Sequence, residues 1–455
     1  MYGLADTVAA IATAPGAAAL GIVRISGPGA AAALDEVVPR AKASTKPRRV
    51  IAEVARNPIS GAPIDEVLCF YCPAPSTATG EDTAEIHGHG GQLVMKRLLD
   101  AAIAAGARAA EPGEFTYRAF RNGRIDLTQA EGVMGLIGAR SERAAQVAYC
   151  QLSGDVGRSL GAELDAVIAI SAQVEAGLDF PDEDLPLEMA EALAAQLDDT
   201  IGKLSRLRDS FVLGARLSEG AHVAIIGPPN AGKSSLLNRL VGEDRALVDK
   251  DPGTTRDVVD ARGEAAGIPI VFSDTAGLRS DAGRVERRGM EKTAEAARGA
   301  DLVVVVVDGA SSSSEFVDKP EVPHHERTIL GVNKKDLPEW RDMDSLPGVL
   351  KDAPRVPVSA LTGEGIDHLL ETIARMLGNS EGDDDRLLTT ARQHAAVAAC
   401  VKHLEKAAIL LRRGSFPELA ADDLRSARDN LAVLWGREAT EEMLDAIFSK
   451  FCIGK

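Results

Sequence analysis

The chain has 455 residues, 45% of them apolar and 26% charged, and a formal net charge of −17. Two or three domains are expected, since one ordinary core does not grow to that length. The acidic balance argues against wholesale coating of a nucleic acid, and no run approaches the roughly 18 apolar residues of a membrane span.

Asp6 stands where an export signal would carry positive charge, and the five cysteines (Cys69, Cys72, Cys150, Cys400, Cys452) are odd in number and scattered. A cytoplasmic protein with reduced thiols and no membrane contact is therefore expected. The first stretch, residues 1–118, carries apolar runs at Val8–Ile11, Leu20–Ile25 and Val67–Tyr71 between Gly/Pro turns, then an apolar-periodic segment from Leu93 to Ala105. It reads as a small α/β domain. Two basic clusters, Lys46, Arg48 and Arg49 and then Arg118, Arg121 and Arg124, read as solvated surface on charge alone. Residues 119–215 are alanine-rich and helical in pattern, with Phe180 to Asp184 forming a loop before a further helix. From 216 to 380, strand-like runs at 222–226, 269–273, 302–307 and 328–332 alternate with helical patterns, as in a mostly parallel, doubly wound sheet. After the acidic segment 381–385, helices return through 455. The expected architecture is thus multidomain: an N-terminal α/β domain and a discontinuous all-α domain interrupted by a P-loop α/β module.

The module carries its chemistry in order. Gly227-Pro-Pro-Asn-Ala-Gly-Lys233-Ser234 follows the strand His222–Ile226 and opens a helix at Ser235. GxxxxGK[ST] in that setting is the P-loop: glycines let backbone N–H groups face phosphate, and the helix N-terminus adds its positive end. Asn230, Ala231, Gly232, Lys233, Ser234 and Ser235 are the candidate phosphate-loop residues, Lys233 as a point charge on the β- and γ-phosphates and Ser234 as a ligand of Mg²⁺. Asn333-Lys334-Lys335-Asp336 ends the strand at 328–332, and Ser359-Ala360-Leu361 follows Val356-Pro-Val. They match the NKxD and SA[KL] elements of GTPases: a carboxylate at Asp336 accepts both the N1–H and 2-amino protons of guanine, Asn333 and Lys334 frame the base, and the backbone at Ala360 would meet O6.

Asp274-Thr275-Ala276-Gly277 follows an apolar strand, so Asp274 would hold Mg²⁺ through water and Gly277 would sense the γ-phosphate. Thr255, in Gly253-Thr254-Thr255, would close the metal shell, and a switch ordered by the γ-phosphate is expected. Leu278 stands where signalling GTPases place a water-orienting glutamine, and leucine cannot do that work. Glu286 and Arg279 lie within reach by sequence, Glu286 either as the water-positioning group or as a solvated helix residue.

The whole chain resembles the MnmE-type tRNA modification GTPases. The similarity rests on Asp6-Thr-Val-Ala9, Gly21-Ile-Val-Arg24-Ile-Ser-Gly27, Gly80-Glu-Asp82, His87-Gly-His-Gly-Gly91, Pro112-Gly-Glu-Phe-Thr116, Arg118-Ala-Phe120, Asn122-Gly-Arg-Ile-Asp126 and the terminal Phe451-Cys-Ile-Gly-Lys455. The resemblance implies a homodimer joined through the N-terminal domain, which binds a tetrahydrofolate derivative (5,10-methylene or 5-formyl) at Arg24, Glu81 and Arg124, with Lys455 nearby. It implies K⁺ at Asn230 and in the loop Asp249, Lys250, Asp251, Pro252, Gly253 and Thr254, with Asp249, Asp251 and Thr254 as ligands, and Glu286 as the catalytic glutamate. It also implies a flavoprotein partner of the MnmG type in a heterotetramer or larger complex. Together they would install a carboxymethylaminomethyl or aminomethyl group at C5 of the wobble uridine of certain tRNAs. Pro15-Gly16 is followed here by Ala17-Ala18-Ala19, where the family commonly has Arg-Gly-Gly, and Arg124 stands where a lysine is expected.

Cys69-x-x-Cys72 with His87 and His89 invites a zinc reading, but residues three apart on a strand face opposite ways. Cys452 is a candidate thiol nucleophile toward a one-carbon unit, without a paired base in sight. Two other functions compete: a stand-alone GTPase switch in ribosome assembly, and a non-enzymatic folate-binding scaffold.

Overall fold

The computed structural model describes residues 5–42, 45–178, 187–242, 260–274, 297–311, 327–342, 350, 352–378, 384–413, 417–437 and 439–454. They fall into two compact units, Met1–Met134 with Leu431–Lys455, and Gly135–Asn430. Among the described residues no helix is long and apolar enough to cross a membrane.

The first unit is built on six strands: β1 (Val8–Ile11), β2 (Ala18–Ser26), β3 (Ile51–Arg56), β4 (Pro63–Cys72), β5 (Thr83–Gly90) and the two-residue β6 (Arg108–Ala109). Their order is β3-β4-β5-β2-β1-β6, antiparallel except for β1 beside β6. Helices α1 (Ala30–Val37) and α2 (Gln92–Ala104) bury Leu34, Val37, Met95 and Leu98 against Val23, Ile25, Val67 and Ile86 of the sheet. Gly21 leaves room for Met95: a Cβ there would lie 2.3 Å from Met95 Sδ, which would have to shift. β4 alternates as expected, with Cys69 in the core and Cys72 half-buried, and burial pushes the Cys69 thiol up to about 11. Helices α3 (Glu114–Arg121) and α4 (Leu127–Gly138) follow.

The second unit begins with α5 (Glu142–Leu152), α6 (Asp155–Leu178), α7 (Leu187–Asp209) and α8 (Phe211–Glu219). Its sheet holds β7 (Ala221–Ile226), β8 (Asp260–Ala265), β9 (Ile268–Asp274), β10 (Leu302–Asp308), β11 (Thr328–Asn333) and β12 (Arg355–Pro357), in the order β12-β11-β10-β7-β9-β8. All neighbours are parallel save the edge hairpin β8–β9. Leu302-Val-Val-Val-Val-Val307 is buried on both faces, which is why it is an unbroken apolar run rather than an alternating one. Helices α9 (Lys233–Val241) and α10 (Ile366–Met376) cover the sheet, and α11 (Ala391–Arg413) and α12 (Pro417–Ala432) continue the helical part. Ser141 caps α5, accepting from the Ala144 N–H, and donates its hydroxyl to Gly267 O in the β8–β9 turn at 2.5 Å. Helix α13 (Glu441–Phe448) returns the chain to the first unit, where the Phe448 ring meets Tyr117 edge-on and packs tilted against Phe120 and Phe451.

The mostly parallel, doubly wound sheet and the mixture of α/β and helical parts are as the sequence leads one to expect. The expected helix at Ser235 begins two residues earlier, at Lys233, because Gly232 takes the left-handed conformation and starts it. The loop expected at 180–184 lies outside the described residues.

Candidate functional site

The P-loop is held by backbone packing. Gly227 has φ +152°, and a Cβ there would come within 2.1 Å of Val306 O, so only glycine lets the loop leave β7 beside β10. Asn230 sits in the left-handed region at φ 62°, exposed at the loop tip. Ala231 is buried, and Gly232 (φ +93°) leads into α9. Lys233 Nζ donates to Gly227 O at 2.9 Å and Pro228 O at 2.8 Å, arching over the loop whose ligand it is expected to meet. Ser234 and Ser235 are exposed on the first turn of α9.

Asn333 ties this loop to the base-recognition segments. Fully buried at the end of β11, it donates from Nδ2 to Ala231 O at 2.8 Å and accepts the Ala360 N–H on Oδ1 at 3.0 Å. A Cβ at Gly232 would lie 2.2 Å from that same Nδ2. Lys334, at φ 66°, swings its ammonium onto Asp308 Oδ2 at 2.6 Å. Ser359 is buried and donates to Asp336 Oδ1 at 2.5 Å, while Asp336 itself is exposed. Asn333, Lys334, Asp336, Ala360 and Leu361 line one cleft of about 710 Å³ with Gly232 and Ser235 of the P-loop. A larger cavity, about 840 Å³, lies beside the β8–β9 hairpin and contains none of the candidate residues.

Asp274 ends β9 in register with Ile225 of β7, two residues before Gly227. The exposed Ser234 hydroxyl on the first turn of α9 is a hard oxygen donor of the kind Mg²⁺ takes. Asp249, Lys250, Asp251, Pro252, Gly253, Thr254, Thr255, Thr275, Ala276, Gly277, Leu278, Arg279 and Glu286 all lie outside the described residues, as does Lys455.

The first unit has a second polar centre. Arg24 lies opposite Glu85 in the β2–β5 ladder and donates from Nε to Glu85 Oε1 at 2.9 Å, while Glu85 Oε2 meets His87 Nε2 at 2.8 Å. Glu81 accepts on Oε2 from Ser26 Oγ at 2.9 Å and from Arg118 Nη1 at 3.0 Å. Arg124 donates from Nε to Thr77 O at 3.1 Å. Among the described residues, Glu81 Oε1 and the terminal nitrogens of Arg24 and Arg124 have no hydrogen-bond partner, although the Arg24 guanidinium lies 5.9 Å over the Phe115 ring centroid. A carboxylate oxygen and two half-open guanidinium forks fit a ligand with ring N–H donors at one end and carboxylates at the other. Ala17, Ala18 and Ala19 are exposed at the start of β2 and bring no charge. Gly454 packs against β1, where a Cβ would meet Ile11 O at 2.4 Å, and the Cys452 side chain is exposed.

Arg118 corrects the solvated-surface reading of its cluster. Its side chain has no exposure, and it donates to Asp6 O, Asp6 Oδ1, Glu81 and Glu114. Burial alone would lower its pKa, yet the bonds to Glu114 and Glu81 raise it. A fourth-residue spacing from Glu114 on α3 was the available signal. Arg239, Asn238 and Asp308 were also missed. Ser235, Asn238 and Arg239 fall at i, i+3 and i+4 on the P-loop helix, a polar stripe on one face, and line the cleft with the C-cap Gly242.

A family model described as the MnmE helical domain matches residues 127–452, and one described as the GTP-binding protein TrmE N-terminus matches residues 7–124. The chain is 42% identical over 457 residues to a Symbiobacterium thermophilum protein named tRNA modification GTPase MnmE, covering 99% of each. A protein of that name from Akkermansia muciniphila is 41% identical over 456 residues, again covering 99% of each. The solved G domain of the T. maritima FeoB iron transporter is 27% identical, covering 34% of this chain and 98% of that one with a TM-score of 0.26.

Proposed function

The chain belongs to the MnmE family of tRNA modification GTPases, and from that premise we propose that it spends GTP on altering C5 of the wobble uridine in tRNA. It is a GTP hydrolase acting in tRNA modification. The observation that carries the nucleotide reading is the Asn333 side chain, which links the Ala231 carbonyl of the phosphate loop to the Ala360 amide of the base loop. Phosphate and base are thereby read by one rigid piece.

The residues divide the work. The N-terminus of α9 and Lys233 receive the phosphates, and Asp336, oriented by the Ser359 hydroxyl, accepts the two donors on the guanine edge. Ser234, Asp274 and Thr255 would hold Mg²⁺, whose charge offsets that building on the phosphates. Glu286 orients the attacking water, taking the place that Leu278 cannot fill. Asn230 with Asp249, Asp251 and Thr254 would hold K⁺, whose positive charge stands in for an arginine finger when two G domains pair. In the first unit, Arg24 and Arg124 would meet the carboxylates of a tetrahydrofolate derivative, with Lys455 beside them, and Glu81 Oε1 its pterin donors. The protein would act as a homodimer with a flavoprotein partner to add a carboxymethylaminomethyl or aminomethyl group.

Deleting the gene and analysing tRNA nucleosides by mass spectrometry tests this directly. The modified wobble uridine is expected to disappear and to return with the wild-type chain but not with Glu286→Ala. Unchanged wobble uridine in the deletion strain would contradict the proposal.

A further inference from the structure

Arg239 lies on α9 one turn beyond Ser235, so the phosphate-loop helix carries it along the wall of the guanine cleft. Its guanidinium donates from Nη2 to Leu361 O and from Nε to Ala360 O at 3.4 Å. Gly363 (φ +90°) closes over it, since a Cβ there would stand 3.8 Å from the guanidinium carbon.

In a trans peptide the carbonyl and the following N–H point opposite ways. Holding Leu361 O on Arg239 therefore turns the Thr362 N–H away, and that N–H meets Ser359 Oγ at 3.1 Å. The same hydroxyl donates to Asp336 Oδ1. Holding Ala360 O likewise turns the Leu361 N–H away from Arg239. Among the described residues that N–H has no partner, whereas the Ala360 N–H is already taken by Asn333.

We propose that Arg239 is a positioning residue for guanine recognition: its grip on two carbonyls fixes Asp336 through Ser359 and presents the Leu361 N–H to O6 of the base. The proposal rests on the GTP reading, which fails separately if the wild-type chain binds ADP as tightly as GDP.

The test is equilibrium binding of GDP and of 6-thio-GDP, which replaces O6 by a weaker acceptor, to the full chain with Mg²⁺. The wild type is expected to prefer GDP by about tenfold, the worth of one good hydrogen bond. Arg239→Ala is expected to weaken GDP by about tenfold and 6-thio-GDP by much less, so the preference falls about fivefold. Arg239→Lys, which keeps the charge without the planar fork, should behave like the alanine variant. Arg239→Gln gives the same reading should the alanine variant not fold. A wild type without preference, or variants that keep its preference whatever their absolute affinities, overturns the proposal.

Discussion

Arg118 and Glu114 are both fully buried, four residues apart on α3, and hold each other at 3.0 Å, with Arg108 on the far side of Glu114 and Asp6 shared between the two arginines. Burial would raise the Glu114 pKa, but the bonds from Arg108, the Glu111 N–H and Arg118 more than reverse it and hold the carboxyl below its usual range. A depressed carboxylate stabilises the fold fully above its unfolded pKa, about 4.3, and that contribution is lost as pH falls through the folded value. Glu114→Gln is therefore expected to destabilise α3 by about 3 kcal/mol at pH 7, read by hydrogen exchange of the α3 amides, because it leaves the buried Arg118 and the partly exposed Arg108 short of a carboxylate. The deficit should stay constant from pH 5 to 8 and shrink below about pH 4; a deficit independent of pH would count against the ionised network. At the other centre, Asp336→Asn sets an amide donor against guanine's donors. Competition binding should show GTP weakened by about 100-fold and xanthosine triphosphate gained, since xanthine offers an acceptor at that edge. The phosphate and base candidates can be named from sequence because they fall in short motifs of fixed spacing, although the contact that joins them, Asn333 to Ala231, spans 102 residues. Arg239 cannot, since the carbonyls it holds lie 121 and 122 residues away, and of the partners of Arg118 only Glu114 is local.

β10 and β11 were plain in sequence as apolar runs buried on both faces. β5 was not, because Glu-Ile-His-Gly-His-Gly spends its alternate positions on ion pairs and on glycines that make room for neighbours: a Cβ at Gly88 would press on Asp65 and Leu98. β8 and the two-residue β6 carry too few apolar residues to stand out from turns. The C-terminal pentapeptide, distinctive as a string, is structural at Phe451, whose ring packs on Phe448, and at Gly454 against β1. Helix α13 reaches α3 at Gly113, φ 71°, where a Cβ would stand 2.3 Å from Phe448 O. Gly113→Ala must push α13 away or distort the turn. A loss of about 2 kcal/mol in urea unfolding, with unchanged GDP binding in the second unit, is expected. A variant as stable as wild type would show that α13 is not seated as described.

For the whole molecule, sequence order conveyed a helical chain interrupted by a nucleotide module, and the doubly wound sheet appears with the expected strands and one antiparallel edge. Contacts within each unit, such as Gln151 bonded to Gln393 at 2.9 Å, join segments more than two hundred residues apart, which no local pattern encodes. We propose that the guanine-specific site, lacking a switch glutamine at Leu278, works through Glu286 and a monovalent cation. It is tested most directly by GTP turnover of the purified chain with Mg²⁺ in K⁺ and in Na⁺, beside ATP and beside Glu286→Ala. The expected result is hydrolysis of GTP alone, at least tenfold faster in K⁺, and lost in Glu286→Ala while GTP still binds; tenfold corresponds to about 1.4 kcal/mol of barrier. Equal rates in the two salts, undiminished by Glu286→Ala, would contradict it.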